Sequence, residues 1–103
     1  MKNSPQNPED CRNMADLRQA IDLLDAELVA LLARRQRYIE RAAQIKGSRA
    51  AVRDEARVED VVAKVLVRAR ENSLSPAIAE AVWRALIEAS ITHEFAAFDE
   101  IRR

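Results

Sequence analysis

A chain of 103 residues that is 49% hydrophobic but only 4% aromatic can fill one domain's core, and must do so with Ala, Leu, Ile and Val. Seventeen basic residues balance seventeen acidic ones, so the net charge calls for neither a nucleic acid nor an acidic membrane surface. A single Cys and a single His exclude an intrachain disulfide and argue against a Zn site or a Cys/His catalytic pair.

The lone Cys11 fits a reducing, cytoplasmic setting. No stretch is apolar for eighteen residues and the first thirteen are polar, so neither a membrane span nor a signal peptide is expected. One Gly and three Pro leave few places to turn, which favours long helices. Of the basic residues fourteen are Arg and three Lys. Arg grips carboxylates through paired hydrogen bonds, so the placement of individual arginines matters more than their number.

Residues 1–12, rich in Asn, Pro and charge, read as a flexible N-terminal arm preceding a single domain over 13–103. From Asn13, a fair N-cap, Met14, Leu17, Ile21, Leu24, Leu28, Leu31 and Leu32 recur at three- and four-residue steps. Gly47 is the first breaker and a good C′ signal, so one helix is predicted over 13–46. After a short loop at 48–53, Asp54 can cap a second helix whose apolar face is Val58, Val61, Val62, Val65, Leu66 and Ala69. Ser75-Pro76 supplies an N-cap with Pro at the first helical position. The third helix then carries Ile78, Val82, Leu86, Ile87, Ile91, Phe95 and Phe98.

The predicted first helix is about 50 Å long at 1.5 Å per residue, whereas a compact chain of this size is roughly 35 Å across. Two shorter helices cannot cover its stripe along that length. A second copy of the chain can, which points to three helices, one very long, in an intertwined homodimer.

Several charges fall close to this stripe: Arg18, Asp25, Arg35 and Lys46. Arg35 and Lys46 are eleven residues apart, near three full turns, and share a face. Arg18 lies roughly 25 Å along the axis from Arg35, so only an antiparallel partner could bring its own Arg18 to the same small ligand. In the third helix Ser90 and Glu94 share a face beside Ile87 and Ile91. For any one of these arginines alone, an ordinary surface ion pair explains the residue equally well.

The ordered set of residues resembles the AroQ-class (type II) chorismate mutases. Leu17-Arg18, Ile21, Asp25, Leu31-Leu32, Arg34-Arg35 and Ile45-Lys46 resemble that family's first helix. Val52-Arg53-Asp54 with Arg57 resembles its second-helix entry, and Glu88-Ala89-Ser90 with Glu94 its third helix. The resemblance covers about residues 14–98, with a small length change after Lys46. It implies an all-α intertwined dimer in which Arg35 and Lys46 bind substrate within one subunit and Arg18 reaches in from the other. It further implies that Arg57 holds a second carboxylate, that Asp54 and Ser90 lie near the ring hydroxyl, and that Glu94 faces the ether oxygen that breaks.

The family's reaction is a unimolecular Claisen rearrangement of chorismate, a dicarboxylate, to prephenate on the way to Phe and Tyr, and it requires no cofactor or metal. Glu94 could donate a hydrogen bond only when protonated, which predicts activity that falls as pH rises. Val58 departs from the best-known bacterial branch, where a Glu follows the second-helix Arg. Pro8-Glu9-Asp10-Cys11, Ala15-Asp16 and Ala20-Ile21-Asp22 are more similar to isochorismate pyruvate lyases, which share the fold and make salicylate for siderophores. A mutase acting on an amino-substituted chorismate and a non-catalytic helical dimer complete the alternatives. Retention of Arg18, Arg35, Lys46 and Arg57 speaks against the last.

Overall fold

A computed structural model describes residues 7–103. The flexible arm expected over 1–12 lies partly outside these residues; within them, Pro8–Asp10 forms a single 3-10 turn. Three α-helices follow: α1 (Met14–Ile45), α2 (Glu55–Glu71) and α3 (Pro76–Ile101), with a 3-10 turn at Arg49–Ala51 between α1 and α2. No strand occurs among the described residues, and none of their helices is long and apolar enough to cross a membrane. The all-α class and the three helices agree with the sequence reading.

The helix starts follow from local side-chain chemistry. The Asn13 carboxamide accepts from the Asp16 N–H at 2.9 Å, and Asp54 accepts from the Arg57 N–H at 3.1 Å. Ser75 Oγ accepts from the Ile78 N–H at 3.3 Å, with Pro76 next in line. Each side chain satisfies one of the N–H groups that a helix start leaves without a partner.

The helix ends are less regular. Gly47 does not close α1 as expected, since no glycine has positive φ. The left-handed residue is instead Ser73, at φ 57°, just past α2. Around it the Leu74 N–H bonds to Ala69 O at 2.8 Å and the Ser73 N–H to Arg70 O at 3.3 Å, the paired closure of a Schellman motif. A serine there bears a Cβ penalty that glycine avoids. Ser73→Gly should therefore raise the unfolding free energy by about 1 kcal/mol, read as a higher denaturant midpoint; an unchanged or lower midpoint would contradict this.

The chain divides into two compact units at Arg37/Tyr38. In the first, residues 7–37, only Ala20 is buried. The α1 stripe stands in solvent: Met14, Ile21, Leu24, Leu28, Leu31 and Leu32 are 43–54% exposed. The second unit, residues 38–103, holds the core: Ala43, Val52, Val58, Val62, Ile87, Ile91 and Phe98, with Trp83 and Phe95 packed against it. Val58, noted above as a departure from one bacterial branch, is thus a core side chain, 8% exposed. Each such burial contributes roughly 1.5–3 kcal/mol for a large aliphatic or aromatic group. Farther up α3, Ile78 and Val82 remain exposed.

Candidate active site

Helix α1 delivers Lys46 one residue beyond its last turn, and α3 delivers Glu94 from the face it buries with Ile87, Ile91 and Phe98. Lys46 Nζ lies 2.7 Å from Glu94 Oε2; the Lys46 side chain is 29% exposed and that of Glu94 only 5%. A carboxyl group that far from solvent is costly unless paired. The ammonium supplies the charge, yet Oε2 accepts no well-directed hydrogen bond. Lys46 Nζ instead donates to Val52 O at 3.3 Å. The pair thus couples α1 to α3 through one half-exposed cation, and Oε2 retains acceptor capacity.

Two arginines tie the loop after Lys46 to α3. Arg49 bonds both oxygens of Asp99, at 2.9 and 3.2 Å, and lies over the Phe95 ring at 4.4 Å. Arg53 grips Glu88 at 2.7 and 3.2 Å and also reaches Glu55 at 3.0 Å. Hydrogen bonds from these guanidiniums hold the Asp99 and Glu88 carboxyls below the ordinary carboxylate range. The straps are therefore in place at neutral pH and are released as pH falls through that depressed range. All four groups are exposed, so their weight is modest. They nonetheless fix a loop that contains Val52, whose carbonyl orients Lys46. Sequence reading gave Arg49 no place and quoted Arg53 only within the family resemblance, because their partners are 50 and 35 residues away.

The other candidates are placed as follows. Asp54 caps α2 through the Arg57 N–H, so these two share the first turn. The Arg57 guanidinium turns along the helix to Asp60 at 2.6 Å, and Asp60 also accepts from Lys64 at 2.9 Å; those two bonds, that of Lys64 foremost, hold the Asp60 carboxyl low. Ser90 is half-buried one turn before Glu94. Arg18, exposed, and Arg35, half-buried, both lie on α1 in the first unit. The structure thus brings Lys46 and Glu94 into contact and puts Asp54 and Arg57 in one capped turn.

A lysine paired with a buried carboxyl, in a helical chain carrying Arg18, Arg35 and Arg57 in this order, coincides with a family match. The chorismate mutase type II family model matches residues 17–95. The chain belongs to this family. Among characterised proteins, an isochorismate pyruvate lyase of Pseudomonas aeruginosa is 35% identical over 82 residues, covering 80% of this chain and 81% of that protein. The family match spans Lys46, Glu94 and every other candidate residue.

Proposed function

We propose that this protein is a chorismate mutase whose sites are shared between two identical subunits. The observation that carries the reading is the Lys46–Glu94 pair: an ammonium and a buried carboxyl 2.7 Å apart. The rearrangement breaks an ether C–O bond as a C–C bond forms within one molecule, and negative charge builds on the ether oxygen. In this reading Lys46 turns from Glu94 to that oxygen when substrate binds; Glu94, having lost its cation in a buried place, takes up a proton from solvent and donates it as a hydrogen bond from the other side. Preorganised donors of this kind are typically worth about 3–4 kcal/mol each. Arg35, Arg57 and the partner's Arg18 would hold the two carboxylates and keep the enolpyruvyl arm folded over the ring, which lowers the entropic part of the barrier. Asp54 and Ser90 are assigned to the ring hydroxyl, and no cofactor is involved.

The dimer is supported by the bare apolar stripe of α1. A lone helix has no core, and isolated helices are marginal in water. Six large apolar side chains left 43–54% exposed form the kind of continuous surface that a partner covers. Mixing Arg18→Ala with Lys46→Ala tests the shared site. Each variant alone should be nearly inactive. Subunit exchange should rebuild one intact site per mixed dimer and restore about a quarter of wild-type activity at random pairing. No recovery after demonstrated exchange would overturn the crossing of Arg18.

The lyase is the second reading, favoured by the 35% identity to the Pseudomonas protein. It would use the same cations on isochorismate and release pyruvate. Formation of prephenate from chorismate at a substantial rate by the purified protein supports the mutase; no conversion of chorismate, or only slow conversion beside a faster lyase reaction of isochorismate, would overturn it.

A further inference from the structure

We propose that Arg102 is a positioning residue for Lys46, acting by capping the C-terminus of α1 from the far end of the chain; the catalytic part of this inference rests on the role proposed above for Lys46.

A helix end leaves its last carbonyls without partners. The usual remedy, a left-handed residue at C′, is absent here because Gly47 does not have positive φ. The Lys46 N–H makes the last helical bond, to Ala42 O at 2.9 Å. Beyond that, backbone bonding within α1 offers nothing to hold the Lys46 peptide in place. The side chain of Arg102 does so. Its guanidinium donates to Ala43 O at 3.0 Å and to Lys46 O at 2.7 Å. These acceptors lie 59 and 56 residues away in sequence.

The guanidinium is itself well fixed. It stacks on the Phe98 ring at 3.7 Å, and Phe98 belongs to the core at 6% exposure. The Arg102 backbone ends α3 by donating its N–H to Phe98 O at 3.3 Å. One residue therefore terminates α3 with its main chain and α1 with its side chain, and its charge offsets the negative end of the α1 dipole. A planar fork can take two carbonyls at once; a lysine ammonium on a flexible stem cannot hold the same pair in fixed geometry. Lys46 then leaves a backbone anchored at its carbonyl by Arg102 and aimed at its tip by Val52 O and Glu94.

The test uses the full chain with Arg102→Met and Arg102→Lys. Amide hydrogen exchange in peptides spanning 43–52 should be faster in Arg102→Met, with the α2 amides unchanged. Turnover should fall about 10- to 100-fold, as expected for a misplaced catalytic group, and KM should move much less than kcat. Arg102→Lys should recover part of both effects. Wild-type exchange in that segment, or accelerated exchange with unaltered kcat, would overturn the positioning role, as would a lowered melting temperature with normal kcat per folded molecule. The two readings fail separately. A wild-type protein that converts neither chorismate nor isochorismate removes the catalytic role of Lys46. Wild-type turnover with an indifferent Arg102→Met removes only the role of Arg102.

Discussion

Replacing Lys46 with Ala is expected to lower kcat/KM by at least about 100-fold, the typical loss of one preorganised donor to developing negative charge. The ammonium is 2.7 Å from Glu94 and is only partly exposed, so it can meet a ligand without first being stripped of a full hydration shell. The truncation has a second consequence. It leaves the Glu94 carboxyl, 5% exposed, without its cation. Losing one partner of a buried pair costs roughly 3–5 kcal/mol. Activity must therefore be expressed per folded molecule, using helical circular dichroism and a melting curve, with Lys46→Gln as a milder companion. Both variants should be folded in the assay and nearly inactive. Retention of most activity in folded Lys46→Ala would remove this residue from the site.

The second large effect is on the pH profile, and it isolates Glu94. If its carboxyl donates to the ether oxygen, the active form is the protonated one. Activity should then fall as pH rises. Glu94→Gln donates from a neutral amide at every pH, so the alkaline loss should disappear while activity at low pH is largely kept. The arginine straps cannot mimic the effect, because Arg49–Asp99 and Arg53–Glu88 weaken only as pH falls. A Glu94→Gln enzyme with the wild-type alkaline limb would therefore assign that limb elsewhere and refute the proton donation. Rate profiles of wild type and variant in one buffer series make the comparison.

The fold was legible in the sequence where the physics is local. Asn13, Asp54 and Ser75 mark helix starts through their own side chains, and all three make the expected bond. Predicted and observed helix bounds differ by a residue or two, as at 13–46 against Met14–Ile45. The exposed α1 stripe was anticipated from the apolar spacing and the helix length together.

Helix ends proved harder to read. Gly47 looked like the natural stop, but the stop is a guanidinium from Arg102, and no local pattern announces a bond across 59 residues. Ser73 was missed because serine rarely adopts positive φ. For the site, spacing suggested that Arg35 and Lys46 share a face and that Ser90 and Glu94 do. The Lys46–Glu94 contact joins elements 48 residues apart in sequence, and only the family resemblance anticipated that these residues share a site. Val58 is read from spacing as part of the apolar face of α2, and it is core. Its significance as a departure came only from comparison with the family.

The most direct test of the central claim is product analysis with two substrates offered separately, chorismate and isochorismate, followed by NMR over the full time course. A mutase should convert chorismate to prephenate with a kcat/KM well above that for any reaction of isochorismate. Salicylate and pyruvate from isochorismate, with prephenate formed only slowly, would contradict the account and make the protein a lyase that uses the same cations.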